Sequence, residues 1–311
     1  MQDGPGVGKR LALVALVLLA GCAAVPQPPA PEVTEAAAPL PEETPASAAI
    51  RLHYEEVQAA LLSEGLLRTE TAPEDAPFTD RNLTENFLRI ALFEEYAGGQ
   101  VTPHSSAAPI RLLRWQAPVR VKLVFGPAVP ARQQATDRAV VASYLARLAR
   151  DTGHPISLDD RAPNFWLHFA TVDERAAIGP ALNAEMPGLT PGQVASVTDM
   201  DEGTYCQVLT QSDDTTFAYV RAVAVIPSEH PDLMRLACIH EELAQSLGLP
   251  NDSNAARPSI FNDDQEFALL TAQDELMLRI LYDPALKPGM TRAEARPIVE
   301  TLASRLTGGN S

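Results

Sequence analysis

The chain has 311 residues, 46% of them hydrophobic, which is enough to bury a sizeable core in one large domain or two small ones. Forty acidic against 24 basic side chains leave a formal charge of -16, which repels nucleic-acid phosphates and anionic lipid surfaces. A nucleic-acid partner is not expected.

Lys9 and Arg10 precede the apolar run LALVALVLLA, too short to span a bilayer as a mature helix and of the length of a secretory h-region. The run ends in Leu19-Ala20-Gly21-Cys22, which resembles the bacterial lipobox, in which the cysteine is lipidated and becomes the new N-terminus. Residues 1–21 are therefore expected to be a lipoprotein signal peptide and Cys22 a membrane anchor. Ala23 after the cysteine favours the outer membrane, facing the periplasm. From residue 22 to 49 the chain is rich in Pro, Ala and Glu without hydrophobic period, as in an extended tether.

Residues 50–311 read as a single domain. Two helical patterns come first: AAIRLHYEEVQAALLSEGLL, then FTDRNLTENFLRIALFEEYAGG with Thr79 or Asp80 as N-cap and Gly98-Gly99 as a stop. LLRWQAPVRVKLVFGP alternates like a half-buried strand with Val119, Val121, Leu123 and Phe125 on one face. An amphipathic helix ending at Gly153 follows, then a strand at NFWLHFATV, a loop-rich section from Asp173 to Asp214, and a strand at TTFAYVRAVAVIP. The last third is helical, with capping boxes at Thr271/Asp274 and Thr291/Glu294. This order predicts an α+β fold, a mixed sheet with helices packed on it. With Cys22 used by lipid, export would leave Cys206 and Cys238 as the one intramolecular disulfide pair, the alternative being two buried thiols.

The helix from Asp232 to Gly248 carries the one motif with chemistry in it. Set 100° apart, Leu233, Leu236, Ala237, His240, Leu243, Ala244 and Leu247 fall on one stripe, and Cys238, Glu241, Glu242 and Gln245 on the other side. His240 is then a core histidine bonded to backbone. Aligned on Gly248, the stretch from Glu241 to Asn251 resembles the metzincin pattern H-E-x-x-H-x-x-G-x-x-H, keeping the glutamate (Glu242) and the glycine but replacing all three histidines by Glu241, Gln245 and Asn251. One carboxylate and two amides are hard oxygen donors, suited to calcium or to no metal, and zinc catalysis by the usual route is not expected. Asp252, Asp263 and Asp264 lie downstream as further oxygens, and Ser259 to Phe261 stands where metzincins turn beneath the metal. The sequence has no Gly-rich phosphate loop outside the leader, no C-x-x-C pair and no G-x-S-x-G elbow.

FTDRNLTENFLRIALFEEY, LLRWQAPVRVKLVFG, CIHEELAQSLGLPNDS and SIFNDDQEFALLTAQDELMLRILYDPALKPGM together resemble the bacterial domain of unknown function 2927, found in exported proteins and lipoproteins. The resemblance implies a divergent zincin-like fold and an envelope location, and it names no activity. The function expected is a non-catalytic binding or scaffolding module for an envelope protein or peptide, without a cofactor. The alternative is a zinc- or calcium-dependent hydrolase of envelope peptide or peptidoglycan, with Glu242 as general base and Glu241, Gln245 and Asn251 around the metal.

Overall fold

A computed structural model describes residues 40–94, 108–262 and 264–309. The leader, Cys22, Gly98-Gly99 and Asp263 lie outside the described residues. Residues 40–311 form one compact unit. Helix α1 (Pro45–Ser63) starts within the stretch expected to be tether, because Thr44 caps it, accepting from the Ser47 N–H, and Pro45 sits in the first turn where its missing N–H costs nothing. Helix α2 (Asp80–Ile90) begins at a capping box of Thr79 and Asn82 and ends well short of the glycines read as its stop. The short strands β1 (Phe93–Glu94) and β2 (Ala108–Pro109) pair with each other.

The single strand expected over residues 112–127 is two, β3 (Arg114–Trp115) and β4 (Val119–Phe125). Next come α3 (Ala131–Thr152), stopped by Gly153 in the left-handed conformation, β5 (Ile156–Leu158) and β6 (Phe165–Ala170). The section expected to be loop holds three short helices, α4 (Val172–Ala177), α5 (Gly179–Glu185) and α6 (Pro191–Thr198), and the strand β7 (Gln207–Ser212). Strand β8 (Ala218–Pro227), α7 (Asp232–Gln245), α8 (Ala272–Leu281) and α9 (Arg292–Leu306) complete the chain.

The main sheet runs β5-β4-β6-β8, all parallel, with β7 antiparallel on the far side of β8 and β3 parallel against the first two residues of β8. Parallel strands need crossovers that cover both faces, so the central strands β6 and β8 are mostly apolar, with His168 in β6 and Arg221 in β8 as polar exceptions. All six residues of β6 are buried. Alternation divides them between two cores: Phe165, Leu167 and Phe169 with Ala222, Ala224 and Ile226 of β8 face α7, while Trp166 with Val223 and Val225 face α5 and α6 through Leu182, Met186 and Val197. A third cluster joins α1 to α7 through Tyr54, Leu67, Met234 and Ala268. Helices α2, α8 and α9 pack on one another. No helix among the described residues is long and apolar enough to cross a membrane.

Candidate functional site at helix α7

The central strand β8 leads directly into α7 through the turn Ser228–Pro231, the place where parallel sheets present their side chains to ligands. Burial does not divide α7 into two faces as the wheel predicts. Cys238, Glu242 and Gln245 are buried as deeply as His240 and Leu243, and Glu241 is half-buried. The side that carries Cys238 and Glu241 is covered by α1 and by the segment 64–69, where Leu67 N–H donates to Gln265 O (2.9 Å) and Arg68 N–H to Glu266 O (2.8 Å).

Glu241 therefore borders a cavity of only about 10 Å³, with Leu61, Leu67, Tyr205, Met234 and Gln265 around it. That is room for a single water at most. Gln245 stands one helical turn on, and the pair shares a side of the helix as the motif requires. Gly248 makes the turn expected of it: its φ is +125°, and a Cβ there would lie 2.3 Å from Leu113 O. Beyond the turn, Asn251 is 3% exposed, and its Nδ2 donates to Arg89 O (3.0 Å), satisfying a carbonyl at the end of α2. The carbonyls that end α7 are met similarly, Ser246 O by Trp115 Nε1–H (2.8 Å) and Leu247 O by the Tyr282 hydroxyl (3.0 Å).

Of the downstream acids, Asp264 is exposed and accepts from the Glu266 N–H (2.9 Å). Ser259 donates to Asp274 (2.6 Å) and Phe261 is fully buried, so this turn is built into the core. Burial pushes the Asp274 carboxyl up to about 6, against hydrogen bonds from Ser259, Thr271 and Ile260 that pull it down. No group of three or more His, Cys, Asp or Glu side chains able to hold a metal occurs among the described residues.

His240 is the buried histidine expected. Its ring stacks on Tyr144 with centroids 3.9 Å apart, its Nδ1 accepts from the Leu270 N–H (3.0 Å), and burial pushes its imidazole down to about 3. Cys206 and Cys238 form the disulfide, tying the start of β7 to α7. His168, inside β6, pairs with Glu185 (2.7 Å).

Sequence spacing gave no sign of a second polar group at the end of β8. Glu229, His230 and Arg175 are all buried, and Glu229 accepts from Ser47 of α1 (2.9 Å) and the Val172 N–H (2.7 Å). Glu229 Oε2, His230 Nε2 and Arg175 Nε have no hydrogen-bond partner among the described residues. Burial holds the Glu229 carboxyl up and pushes His230 down to about 3, so this group avoids charge on its histidine. Arg235 on α7 reaches Asp137 on α3 (2.9 Å) and His230 O (2.7 Å), and all three are buried. The adjacent Glu-His pair was the available signal, and the partners of Glu229 come from chain more than fifty residues away.

Fold and site together define an α+β domain with a parallel sheet, whose motif-bearing helix offers oxygen donors embedded in packing. The chain belongs to the family described as protein of unknown function, DUF2927, whose model matches residues 80–301. No curated protein and no solved structure matches it. Helix α1 lies outside the matched span.

Proposed function

We propose that this chain is a lipid-anchored cell-envelope protein whose domain binds or scaffolds an envelope protein or peptide on a divergent zincin-like fold. The Leu-Ala-Gly-Cys sequence after an apolar run supports an anchor at Cys22, in the outer membrane facing the periplasm. The zincin-like reading is supported by a strand feeding the motif helix beside an antiparallel edge strand, and by the positive-φ Gly248 at the motif's glycine.

The observation that carries the non-catalytic role is the engagement of the ligand positions. Asn251 serves as a cap for α2, and the Glu241 side of α7 is filled by α1 and Leu67. A metallopeptidase needs those positions open to metal, water and substrate.

Metal analysis of residues 40–311, purified without chelator beside Glu241→Ala, tests this reading. We expect no stoichiometric metal in either protein and no peptide or peptidoglycan cleavage. About one zinc or calcium per chain that disappears in Glu241→Ala, with turnover abolished by Glu242→Gln, would overturn it in favour of a hydrolase.

A further inference from the structure

Where the His240 ring stacks on Tyr144 of α3, the two helices border an open groove of about 480 Å³ along α3. The groove exists because the exposed ridge of α3 is made of small residues, Ala139 and Ser143 among them, while Tyr144 and Val140 supply its apolar wall. His240 is 8% exposed. Because its Nδ1 accepts the Leu270 N–H, its Nε2 carries the hydrogen. That Nε2 makes no hydrogen bond to a described residue, and His240 lines the groove. A stacked, fixed imidazole thus presents one donor to the groove.

The charges around it set the kind of ligand. Arg147 is neutralised by Glu275 (2.7 Å) and by Asp151 (3.9 Å), and it also donates to Leu270 O. Asp151 is further held by Arg279 (3.2 Å). Arg150 is exposed, lines the same groove and has no acidic partner among the described residues. The groove therefore carries about one uncompensated positive charge on a chain of net charge -16. A planar guanidinium matches the two oxygens of a carboxylate. A dianionic phosphate would meet one free cation and the nearby Glu275 and Asp151 carboxylates, which disfavours it.

We infer that this groove is a binding site for a carboxylate monoanion, with the His240 Nε2–H, the Ser143 hydroxyl and the Arg150 guanidinium as its donors and Tyr144 and Val140 against the ligand's apolar part. Two sources present this chemistry, the C-terminal carboxylate of a peptide and the carboxylate of an acidic sugar. The site uses none of Glu241, Glu242, Gln245 or Asn251, so it stands or falls independently of metal binding at α7.

Residues 40–311 labelled with ¹⁵N allow the His240 Nε2–H to be followed by long-range proton–nitrogen spectra. Titrants are N-acetylalanine, glucuronate, inorganic phosphate and the uncharged N-acetylalanine amide. A saturable shift with N-acetylalanine identifies a peptide terminus, one with glucuronate an acidic sugar, and either supports the site. The shift should be absent with the amide, and affinity should fall about tenfold in Arg150→Ala, an exposed position whose replacement leaves the fold intact. The inference is overturned if neither carboxylate gives a saturable shift, if the amide or phosphate binds more tightly than both, or if Arg150→Ala binds as the unaltered protein does.

Discussion

Breaking the Cys206–Cys238 bridge should lower stability by an amount its place in the chain sets. The two cysteines are 32 residues apart, and the bond joins the edge strand β7 to the helix that fills the centre of the domain. On the chain-entropy account, a loop of that length frees enough disorder in the unfolded chain to remove about 3.7 kcal/mol of stability. A domain of this size is expected to unfold in urea with a slope of about 3 kcal/mol per molar, so the midpoint should move down by about 1.2 M. The assay is urea unfolding of residues 40–311, oxidised and with reductant, beside a Cys206→Ser, Cys238→Ala double variant. The reduced protein and the variant should agree, with unchanged slope, and reductant should not move the variant further. A midpoint shift below about 0.3 M would refute the reasoning, because the bridge would then close a loop already ordered in the unfolded state.

Gly248→Ala should destabilise by more than about 3 kcal/mol in the same assay, since both the φ of +125° and the 2.3 Å approach to Leu113 O forbid a Cβ. Asn251→Ala should cost about 1 kcal/mol by removing the side-chain donor that meets Arg89 O at the end of α2, and no metal should be needed to see it. Stability should also fall on acidification. Burial pushes His230 and His240 down to about 3 in the folded protein against about 6.5 when unfolded, so between about pH 6.5 and 3 these two histidines take up protons only in the unfolded chain. At pH 5 each histidine should cost about 2 kcal/mol relative to pH 8, and Asp274, raised to about 6, should return about 1 kcal/mol. Urea midpoints at the two pH values check the sum, and His240→Gln should remove its own share of the difference.

Local signals in the sequence were reliable wherever a side chain answers its own backbone. Thr79, Thr271 and Thr291 cap the helices they were expected to cap, and Gly153 and Gly248 turn the chain where expected. Two helices within the stretch read as loop carry the same signature, Thr171 with Glu174 and Thr190 with Gln193, and were legible by that rule. What a helical wheel cannot show is which distant segment covers a polar side. Glu242 and Gln245 are buried because α7 is enclosed from several directions, an arrangement that depends on chain nearly two hundred residues upstream. The same holds for Glu229 and Arg175, whose meeting is made by topology and leaves no local spacing to find.

The position of β8 bears on the order in which such a chain is completed. The strand between β6 and β7 is the last of the sheet to emerge, and α9, the final helix, packs on α2 with Arg296 held to Glu85 (2.6 Å). Pairings that span so much sequence are slow to form, and until β8 is in place β6 lacks its neighbour on one side and β7 has none. A chain stopped before Pro227 therefore lacks the strand that joins β6 to β7, and one stopped before Leu306 lacks part of the helix that packs on α2.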